Sequence, residues 1–404
     1  MAAFRSLDEV DLAGRTALVR VDFNVPMEGG RVSDATRITR ALPTLRKLLE
    51  GGARVVLLSH FGRPKGQRRP EMSLSPILPE LQSALGPQVP VRFAEDCIGE
   101  AAETAVRELP SGGVLLLENL RFHPGEEAND PAFVEQLARL GDLFVSDAFS
   151  AAHRAHASVE GLAHRLPAVA GLLMQAELEA LESALENPER PVAALVGGAK
   201  VSSKIELLGN LVEKVQLLVI GGGMANTFLY AMGLDVGRSL CEHEMVNTVE
   251  EIVRKAKQAD CDIVLPTDAA VAAELKPNTA YDIVSVKEVA HDRMILDVGP
   301  RTAEHVALRV ADCRTLVWNG PLGAFEVQPF DAGTNQVAQA VADLTRSGRL
   351  LSVAGGGDTV AALTHAGVLD DFSYVSTAGG AFLEWLEGKA LPGVQALKAS
   401  SSRG

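Results

Sequence analysis

The stretch VAALVGGAK at residues 192–200 is an apolar run that ends abruptly in glycine and lysine. Continuous apolar runs of this kind are typical of strands in a parallel sheet, because both faces of such a sheet are buried. Ligands of open α/β sheets bind just beyond the carboxyl ends of these strands, where glycine lets the backbone come close to a bound group. The stretch therefore predicts a buried strand that ends at a ligand site.

Six further segments share this design. In the first half of the chain the runs end in basic or polar residues, as in VRVDFN (19–24), LLSHFGR (57–63) and LLLENLR (115–121). In the second half they end mainly in glycine, as in VIGGG (219–223), VWNGP (317–321) and VAGGGD (353–358). The sequence therefore predicts two ligand surfaces of different chemistry, one suited to a compact polyanion and the other to a nucleotide.

Apolar runs alternate with helical stretches along almost the whole chain, which predicts an α/β fold with largely parallel sheets. Glycine stop signals predict helices over residues 41–50 and 131–140. An amphipathic helix over residues 172–186 ends at two prolines, immediately before the strand at 192–196. A chain of 404 residues is long enough for two or three domains, and we place the junction near residue 187.

Composition argues against several classes of protein. The net charge of −14 is unfavourable for a general binder of nucleic acid or acidic membranes, which usually displays a basic surface. No segment offers about 18 uninterrupted apolar residues and the N-terminus lacks a signal peptide's apolar core, so we expect a soluble, cytoplasmic protein without membrane contact. The cysteines lie far apart without metal-ligand spacing, which favours reduced, mostly structural thiols at Cys97, Cys241, Cys261 and Cys313.

Five basic side chains follow strand-like or turn-like segments of the first half: Arg37, His60, Arg63, Arg121 and Arg154. Arginine presents a planar fork of donors that matches phosphate and carboxylate oxygens, and histidine adds a smaller donor. Because the carboxyl ends of parallel strands meet at one edge of a sheet, we expect these side chains to converge there. Together they predict an anion site.

Two further pairs of residues in the first half leave alternatives open. Asp22 and Asn24 end a strand-like run and could bind a substrate hydroxyl, or they could cap the turn that follows. His153 and His156 have a spacing that metal ligands can use. No further His or Cys cluster completes such a site, so an anion contact by the neighbouring Arg154 is favoured.

The glycine-rich run-ends of the second half favour nucleotide binding. The segment from Gly197 to Lys204 follows a strand and is predicted to open a helix, with Lys200 and Lys204 on one helical face. Neither the Walker A pattern nor GxGxxG is present, so both common nucleotide fingerprints fail. After the last glycine run, Asp358 is either a Mg²⁺ partner or an ordinary helix N-cap, and Thr359 is a candidate phosphate donor.

Long motifs of the chain resemble those of phosphoglycerate kinases, in the order found in that family. They are RVDFNVP (20–26), LSHFGRPKG (58–66), LENLRFHPGEE (117–127), SDAFSAAHRAHAS (146–158), GGAKVSSKIELL (197–208), VIGGGMANTFL (219–229), WNGPLGAFE (318–326) and GGGDTVAAL (355–363). The similarity runs from about residue 5 to residue 397. It covers nearly the whole chain.

The resemblance implies a glycolytic enzyme that transfers the acyl phosphate of 1,3-bisphosphoglycerate reversibly to ADP, giving 3-phosphoglycerate and Mg·ATP. It implies a monomer with two Rossmann-like lobes of doubly wound parallel sheet, at residues 1–171 and 188–385. A hinge helix at 172–187 would join the lobes, together with a loop at 376–380. The tail at 386–404 would return to the N-terminal lobe.

Matched motif to motif, the resemblance also implies roles for single residues. The triose would be held by Asp22, Phe23, Asn24, Arg37, His60, Phe61, Gly62, Arg63, Arg121 and Arg154. The nucleotide would be held by Gly198, Ala199, Lys200, Lys204, Gly221, Gly222, Asn319, Pro321, Glu326, Gly356, Gly357, Asp358 and Thr359, with Asp358 as the Mg²⁺ partner. Catalysis would involve Arg37, Lys200, Gly379 and Gly380.

Three positions depart from the family's usual pattern, namely Ser150, Asn226 and Ala378, and none of them removes a charged position. Ala378 adds a Cβ near the implied phosphate path. An NAD-dependent dehydrogenase would need GxGxxG with a downstream acidic residue, and the chain has neither. A non-catalytic scaffold that binds nucleotides and anions is the alternative to the kinase.

Overall fold

Residues 4–401 are described by the computed structural model, and they divide into two units. The first unit contains the chain up to Leu178 together with the segment from Ala390, and the second runs from Glu179 to Lys389. The division falls inside a helix that spans Leu172–Leu181. The chain therefore leaves the first unit within this helix and returns to it near residue 390.

The first unit is built on a six-stranded sheet in which every pairing is parallel. Its strands are β1 (Thr16–Arg20), β4 (Arg54–Leu58), β5 (Val91–Ala94), β6 (Val114–Leu117), β7 (Leu143–Ser146) and β8 (Ala168–Ala170), in the order β5-β6-β4-β1-β7-β8. A short antiparallel pair, β2 (Met27–Glu28) and β3 (Arg31–Val32), follows β1.

The helices of the first unit connect these strands. They are α1 (Thr36–Glu50), α2 (Leu78–Leu85), α3 (Gly99–Arg107), α4 (Pro124–Glu127), α5 (Pro131–Ala138), α6 (Leu162–Arg165) and the first part of α7 (Leu172–Leu181). The last helix, α15 (Pro392–Ser401), belongs to this unit as well, since the Ser400 hydroxyl accepts a hydrogen bond from Ala168 and the Ser401 hydroxyl accepts one from Arg5.

The second unit contains another six-stranded parallel sheet. Its strands are β9 (Val192–Val196), β10 (Leu217–Ile220), β11 (Asp262–Val264), β15 (Thr315–Asn319), β16 (Leu351–Gly355) and β17 (Tyr374–Ser376), in the order β11-β10-β9-β15-β16-β17. A separate antiparallel sheet has the order β13-β12-β14 and contains β12 (Asp268–Ala272), β13 (Tyr281–Ser285) and β14 (Met294–Val298).

The helices of the second unit are α8 (Ile205–Leu211), α9 (Gly222–Ala231), α10 (Val246–Gln258), α11 (Pro300–Ala311), α12 (Ala332–Arg346), α13 (Gly357–His365) and α14 (Gly379–Leu386). Several of the strands lead directly into a helix at their carboxyl end. Strand β10 leads into α9, and β16 leads into α13. The N-terminal ends of these helices therefore lie at the same edge of the sheet as the strand ends.

Both parallel sheets reverse their strand order next to the first strand of the unit. In the first unit β1 lies between β4 and β7, and in the second unit β9 lies between β10 and β15. Connections on either side of such a point diverge and leave a crevice outside the carboxyl ends, where ligands of this fold class bind. The topology thus directs attention to the ends of β1 and β7, and to the ends of β9 and β15.

Each unit has its own apolar core, formed by strands that are buried on both faces. Val19, Val55 and Leu116 belong to the core of the first unit. Leu195 and Trp318 belong to the core of the second. The apolar runs of the sequence correspond to these strands, and the prediction of an α/β fold with parallel sheets is confirmed.

The predicted helices are present with shifted ends. Helix α1 begins at Thr36 instead of residue 41, because Asp34 accepts a hydrogen bond from the Thr36 N–H (2.8 Å) and starts the helix there. Helix α5 ends at Ala138. The helix predicted over residues 172–186 is present as α7, which continues as a wider π-helical turn over Glu182–Glu186.

The sequence predicted a helix that begins between Gly197 and Lys204. This start is wrong, because α8 begins only at Ile205. Lys200 and Lys204 therefore do not share a helical face. The physical reason is the Glu242 carboxylate, which accepts hydrogen bonds from the Ser202 N–H (3.0 Å) and the Ser202 hydroxyl (2.5 Å). These bonds hold the preceding residues in a loop.

No helix within residues 4–401 is both long and apolar enough to cross a lipid bilayer. All four cysteines lie in this range and none is joined to another. Cys97, Cys261 and Cys313 are buried, as expected for structural thiols.

Candidate functional site

The basic side chains of the first unit converge on His60, which follows the end of β4. His60 is 8% exposed, and its ring Nδ1 lies 3.1 Å from Nη2 of Arg20, the last residue of β1. Burial, and then the charges of Arg20, Arg121, Arg154 and Arg37, hold the pKa of His60 far below its usual range. The imidazole is therefore neutral at neutral pH, and arginine supplies the positive charge. We call His60, Arg20, Arg37, Arg121 and Arg154 the basic cluster.

Asp22 and Asn24 lie beside the basic cluster. The Asp22 carboxylate accepts hydrogen bonds from Arg37 (2.7 Å), from the Ser150 hydroxyl (2.5 Å) and from the Asn24 N–H (3.1 Å). The Asn24 side-chain oxygen accepts a hydrogen bond from the Gly62 N–H (2.9 Å). The turn-capping alternative is therefore observed, and it leaves the Asn24 amide group, which donates to no other residue between 4 and 401, available to a ligand.

Arg121 lies deep in the same cluster. Its Nη1 donates to the backbone oxygen of Gly62 (2.8 Å), and its Nε lies 3.4 Å from the Glu127 carboxylate. Burial, and then the charge of Arg154, lower the pKa of Arg121 to about 10, so the side chain stays charged at neutral pH. Gly62 has φ +59°, a conformation that glycine adopts without strain and that turns the end of β4 toward Arg121.

Arg154 and two histidines follow β7. Arg154 Nε lies 3.2 Å from Nε2 of His153. Burial, and then the neighbouring arginines, lower the pKa of His156 to about 4, and its Nδ1 lies 3.8 Å from the buried Glu126 carboxylate. In the part of the chain that the structure describes, no grouping of metal-ligating side chains includes either histidine.

The remaining predicted positions of the first unit differ in what they can contribute. Arg63 is exposed. The backbone N–H of Phe61 donates to the Asn119 side chain (3.1 Å). Phe23 is fully buried in the core, so only its backbone reaches the strand end, where its N–H donates to the Ser59 hydroxyl (2.9 Å).

In the second unit the strand ends approach each other through their backbones. Gly197, directly after β9, is so close to the end of β15 that an added Cβ would lie 1.8 Å from the backbone oxygen of Pro321. Gly222 has φ +64°, and a Cβ there would lie 2.7 Å from the backbone oxygen of Gly198. Backbone atoms cannot give way as a flexible side chain can, so only glycine fits at these two positions.

Lys204 and Asn319 link these strand ends. Nζ of Lys204 donates to the backbone oxygen of Gly197 (2.7 Å) and to the side-chain oxygen of Asn319 (2.6 Å). The Asn319 amide group donates to the backbone oxygen of Gly355 at the end of β16 (2.8 Å). Burial lowers the pKa of Lys204 to about 8, although Asp358 opposes the shift. A bound anion would favour the charged form of this lysine.

The N-terminal end of α13 completes this surface. Gly356 has φ +100° and occupies the N-cap position, so the alternative that Asp358 caps the helix is wrong. The Thr359 hydroxyl donates to the backbone oxygen of Gly355 (2.8 Å) and accepts from the Gly320 N–H (2.7 Å). Because this hydroxyl is committed within the protein, the backbone N–H groups of the first helical turn remain as donors for an anion.

Asp358 is exposed in the first turn of α13, and its carboxylate makes no hydrogen bond within residues 4–401. Mg²⁺ is usually held by one or two carboxylates together with the phosphates of its substrate, and it keeps several waters. A single free carboxylate next to anion-binding N–H groups fits a Mg²⁺ ion that arrives with a nucleotide.

An apolar cavity of about 350 Å³ opens beside these strand ends. Leu275, Leu296 and Leu322 contribute to its apolar lining, while Glu326 and Asp358 place carboxylates on it. Mostly apolar cavities of this size with a few polar groups are typical of small-ligand sites. The predicted nucleotide residues that line it are Gly198, Ala199, Gly222, Pro321, Glu326 and Asp358.

Three predicted catalytic residues do not line this cavity. Lys200 is exposed in the loop before α8. Gly379 and Gly380 are the first two residues of α14. They follow Ala378, which is 5% exposed.

One grouping of metal-ligating side chains occurs between residues 4 and 401, and it lies outside both surfaces. Asp96, Cys97 and His123 offer ligand atoms within 4.8 Å of one another. Nε2 of His123 is hydrogen-bonded to the Asp96 carboxylate at 2.6 Å, and burial raises the pKa of the Cys97 thiol. The carboxylate and the imidazole thus satisfy each other, and the thiol is held in its protonated form.

Comparison with known proteins places the chain in a family. The family model for phosphoglycerate kinase matches residues 7–389. The chain belongs to the phosphoglycerate kinase family. It is 63% identical over 398 residues to the phosphoglycerate kinase of Xanthobacter autotrophicus, a match that covers 98% of this chain and 100% of the relative. It is 62% identical over 402 residues to that of Methylorubrum populi, covering 99% and 100%.

Solved structures agree with this family assignment. The structure of phosphoglycerate kinase from Coxiella burnetii has a TM-score of 0.92 at 42% identity and covers 99% of this chain and 100% of that chain. The one from Pyrococcus horikoshii has a TM-score of 0.82 at 32% identity, with the same coverage. Members of the family are phosphotransferases, and so is this chain. The alternative of a non-catalytic scaffold finds no support.

Sequence reasoning missed Arg20, Glu126 and Ser158, the buried row that reaches His60 in the first unit, and Glu242, which holds the loop that carries Lys200 in the second. A signal for Arg20 was present, because a lone arginine in an apolar strand must find polar partners once it is buried. Glu126, Ser158 and Glu242 gave no such signal. They lie in loops or short helices, where polar residues are ordinarily exposed.

The three departures from the family pattern all have partners or are buried. Ser150 donates to Asp22, as described above. Asn226 is 2% exposed, lines the cavity and donates to the backbone oxygen of Leu240 (3.1 Å). The Ala378 N–H donates to the Ser376 hydroxyl (3.2 Å).

Proposed function

We propose that this enzyme transfers a phosphoryl group reversibly between ATP and the carboxylate of 3-phosphoglycerate, forming ADP and 1,3-bisphosphoglycerate. The observation that carries the proposal is the pairing of two strand-end chemistries in one chain. The first unit presents the basic cluster, which suits a compact anion with a carboxylate and a phosphate. The second presents glycines, a buried lysine and an apolar cavity, which suit a nucleotide.

The triose binds at the basic cluster in this proposal. The amide group of Asn24 and the ring of His60 donate to its oxygens, while Arg63, Arg121 and Arg154 offset its negative charge. Asp22 accepts from its hydroxyl and keeps Arg37 in place through the hydrogen bond described above. The backbones of Phe23, Phe61 and Gly62 shape this end of the sheet.

The nucleotide binds at the glycine-rich ends of the second unit. Its base occupies the apolar cavity, and the Glu326 carboxylate accepts from the ribose hydroxyls. Lys204 and the N–H groups at the start of α13 bind the phosphates. Asp358 would hold Mg²⁺ together with the phosphates, where the metal would supply positive charge to offset theirs. Close backbone approach is provided by Gly198, Ala199, Gly221, Gly222, Asn319, Pro321, Gly356, Gly357 and Thr359.

The chemistry needs no catalytic base. The attacking carboxylate of 3-phosphoglycerate is already ionised at neutral pH. Its oxygen forms a bond to the γ-phosphorus while the bond from that phosphorus to the β–γ bridging oxygen breaks, and ADP leaves with the electron pair. No proton moves. The protein aligns the two reactants and offsets charge on the transferring group, which is the proposed role of Arg37 and Lys200, with N–H groups at Gly379 and Gly380.

Transfer requires that the two substrates meet where water is excluded, since water would otherwise hydrolyse ATP. We propose that α7 and the loop at 376–380 act as hinges for this step. The start of α7 offers a fixed end for such a motion, because the Asp147 carboxylate accepts hydrogen bonds from the Leu173 N–H (3.0 Å) and the Met174 N–H (3.2 Å).

Unpaired cysteines support a reducing compartment, so we place the enzyme in the cytoplasm, in glycolysis. Each unit has its own core and its own ligand surface, which supports a monomer as the working form.

A coupled assay tests the proposal. The enzyme is given 3-phosphoglycerate and Mg·ATP, and glyceraldehyde-3-phosphate dehydrogenase consumes the acyl phosphate while NADH oxidation is followed. We expect turnover that saturates in both substrates. Glu326→Gln should raise KM for ATP and leave KM for 3-phosphoglycerate unchanged. Absence of turnover in a protein that binds Mg·ATP by calorimetry would contradict the proposal.

A further inference from the structure

A continuous row of buried polar side chains leads from Glu126 to His60 in the first unit. The Glu126 carboxylate accepts from the Ser158 N–H (3.0 Å) and is 2.6 Å from the Ser158 hydroxyl. That hydroxyl is 2.8 Å from Nε of Arg20, and Nη2 of Arg20 is 3.1 Å from Nδ1 of His60. Glu126 and Ser158 are fully buried, and Arg20 is 1% exposed.

The chemistry of arginine determines the direction of every hydrogen bond in this row. A guanidinium group only donates, so the Ser158 hydroxyl accepts from Arg20 and its own hydrogen is left for Glu126. Both oxygens of Glu126 then accept, as an ionised carboxylate requires. At the other end, Nδ1 of His60 must accept from Arg20. The hydrogen of a neutral imidazole is therefore on Nε2.

We propose that Arg20 is a positioning residue that keeps His60 in the neutral Nε2–H tautomer, and that Ser158 and Glu126 hold Arg20 in place. The inference about the ligand rests on the proposed function, in which His60 meets an oxygen of 3-phosphoglycerate. In this tautomer Nε2 donates to that oxygen. In the other tautomer Nε2 would carry a lone pair and repel it. Nε2 of His60 has no partner between residues 4 and 401, so it is available.

The surrounding charges oppose protonation of His60 as well. Arg20, Arg37, Arg121 and Arg154 all act on the same imidazole, and together with burial they keep its pKa far below the usual range. Burial raises the pKa of Glu126, while Arg20 and the hydrogen bonds from Ser158 oppose that shift. Burial and these arginines thus make His60 a donor whose charge does not change between pH 5 and 8.

The tautomer is measurable directly in the free enzyme. Long-range ¹H–¹⁵N correlation spectra distinguish a protonated ring nitrogen from one that carries a lone pair. We expect unprotonated Nδ1 and protonated Nε2 for His60, unchanged from pH 5 to pH 8. His60→Gln assigns the signals, and the exposed His291 and His305 serve as reference signals. A hydrogen on Nδ1 of His60 in the wild type would overturn the proposal.

Arg20→Lys tests the positioning role. It keeps a positive charge opposite Glu126, but a single ammonium group lacks the planar fork that serves Ser158 and His60 together. We expect a mixture of His60 tautomers and about tenfold weaker binding of 3-phosphoglycerate, on the scale of a lost hydrogen bond to a charged group. The affinity for Mg·ATP, which binds the second unit, should not change.

Arg15→Lys is the matched control, because Arg15 lies just before β1 and pairs with Asp142 at the surface. It should alter neither the His60 signals nor the affinity for 3-phosphoglycerate. An Arg20→Lys protein with a single Nε2–H tautomer and wild-type affinity would overturn the positioning role.

If Arg20→Lys does not fold, Ser158→Ala, which removes only the hydroxyl between Glu126 and Arg20, is tested for the same two changes. Failure of the wild type to bind 3-phosphoglycerate would overturn the proposed function, while the wild-type spectrum still decides the tautomer.

Discussion

The two proposed ligand surfaces of this enzyme are formed by opposite means. In the first unit the surface consists mainly of charged side chains, and several are kept in direction by hydrogen bonds within the protein, as Arg20 is by Ser158 and Arg37 is by Asp22. In the second unit the surface consists mainly of backbone, and side chains are excluded at Gly197 and Gly222 by atoms that cannot move. A compact anion needs charges fixed in direction. A nucleotide needs room for a base and close N–H groups for its phosphates.

Because the two surfaces are built differently, substitutions should impair them by different physical effects. Substitutions in the basic cluster should act through charge and hydrogen bonding, and they should depend on pH and on the partner that remains. Substitutions at the glycine-rich ends should act through steric clash, whatever the charge of the new side chain. This contrast would be wrong if a substitution in the basic cluster acted only through steric clash, or if a substitution at the glycine-rich ends depended on the charge of the new side chain.

The largest effect is expected when a proposed catalytic cation is removed from either surface. Arg37→Ala and Lys200→Ala should each lower kcat about 10³-fold, the scale on which a lost cation slows phosphoryl transfer. Steady-state kinetics measure the loss, and circular dichroism checks that the fold is intact. Lys276→Ala removes an exposed lysine of the second unit outside the strand ends and should leave kcat unchanged. Near-normal turnover in either alanine variant would refute its assigned role.

A smaller effect, on stability instead of turnover, is expected when a side chain is added at a glycine of the second surface. Gly197→Ala should lower the free energy of unfolding of the second unit by about 3 kcal/mol, because the new Cβ meets the Pro321 backbone. Denaturant unfolding followed by fluorescence reports on this unit, since Trp318 and Trp385 both belong to it.

The control for this prediction is another glycine of the same unit. Gly209 lies inside α8 with nothing within 4 Å of an added Cβ, so Gly209→Ala should raise stability by about 1 kcal/mol. If Gly197→Ala unfolds at the wild-type denaturant concentration, the strand ends are not packed backbone against backbone.

The first surface should instead show a pH signature through His60. Its pKa is about 6.5 in the unfolded chain and far lower in the folded enzyme, so the unfolded state binds more protons in acid. The contribution to stability is complete above about pH 6.5 and is lost as the pH falls, by up to about 1.4 kcal/mol per pH unit.

His60→Gln isolates this effect, because all other titrating groups are common to both proteins. The difference in unfolding free energy between wild type and variant should shrink between pH 7 and pH 5. Urea unfolding at several pH values, followed by circular dichroism, measures it. Parallel pH curves for the two proteins would mean that His60 is not held neutral by the fold.

The smallest effect is expected at Ser150, where the family usually has glycine. Ser150→Ala removes one hydrogen bond to the Asp22 carboxylate and should weaken binding of 3-phosphoglycerate by about 1 kcal/mol, or roughly fivefold. Isothermal titration calorimetry measures the affinity, and Ser150→Gly tests whether the family's usual residue behaves in the same way. Affinity equal to that of the wild type in both variants would show that the serine is neutral.

Much of the site was predictable because it lies at strand ends. A strand buried on both faces must be continuously apolar, so its end is visible as an abrupt change in composition. Gly197 and His60 were singled out in this way, and in the structure they follow the ends of β9 and β4. The topology then confirms that such ends lie beside the points of strand reversal, where this fold class binds ligands.

What the pattern could not predict depends on residues far apart in the chain. The sequence pattern predicted Lys200 and Lys204 on one face of a helix. In the structure Glu242 accepts hydrogen bonds from Ser202 and keeps the residues before α8 in a loop. The sequence pattern predicted Thr359 as a phosphate donor. In the structure its hydroxyl accepts from the Gly320 N–H and donates to the Gly355 backbone oxygen. A local pattern carries no information about such partners.

The sequence by itself determined the class of fold, the two kinds of strand end and the family, because burial and backbone approach restrict residue types locally. Only the tertiary structure decided which polar groups remain available to a ligand. Arg20 and Ser158, separated by 138 positions, meet because the order of strands in the sheet brings them together. A hydrogen bond depends on distance and direction in space, and these are set by packing.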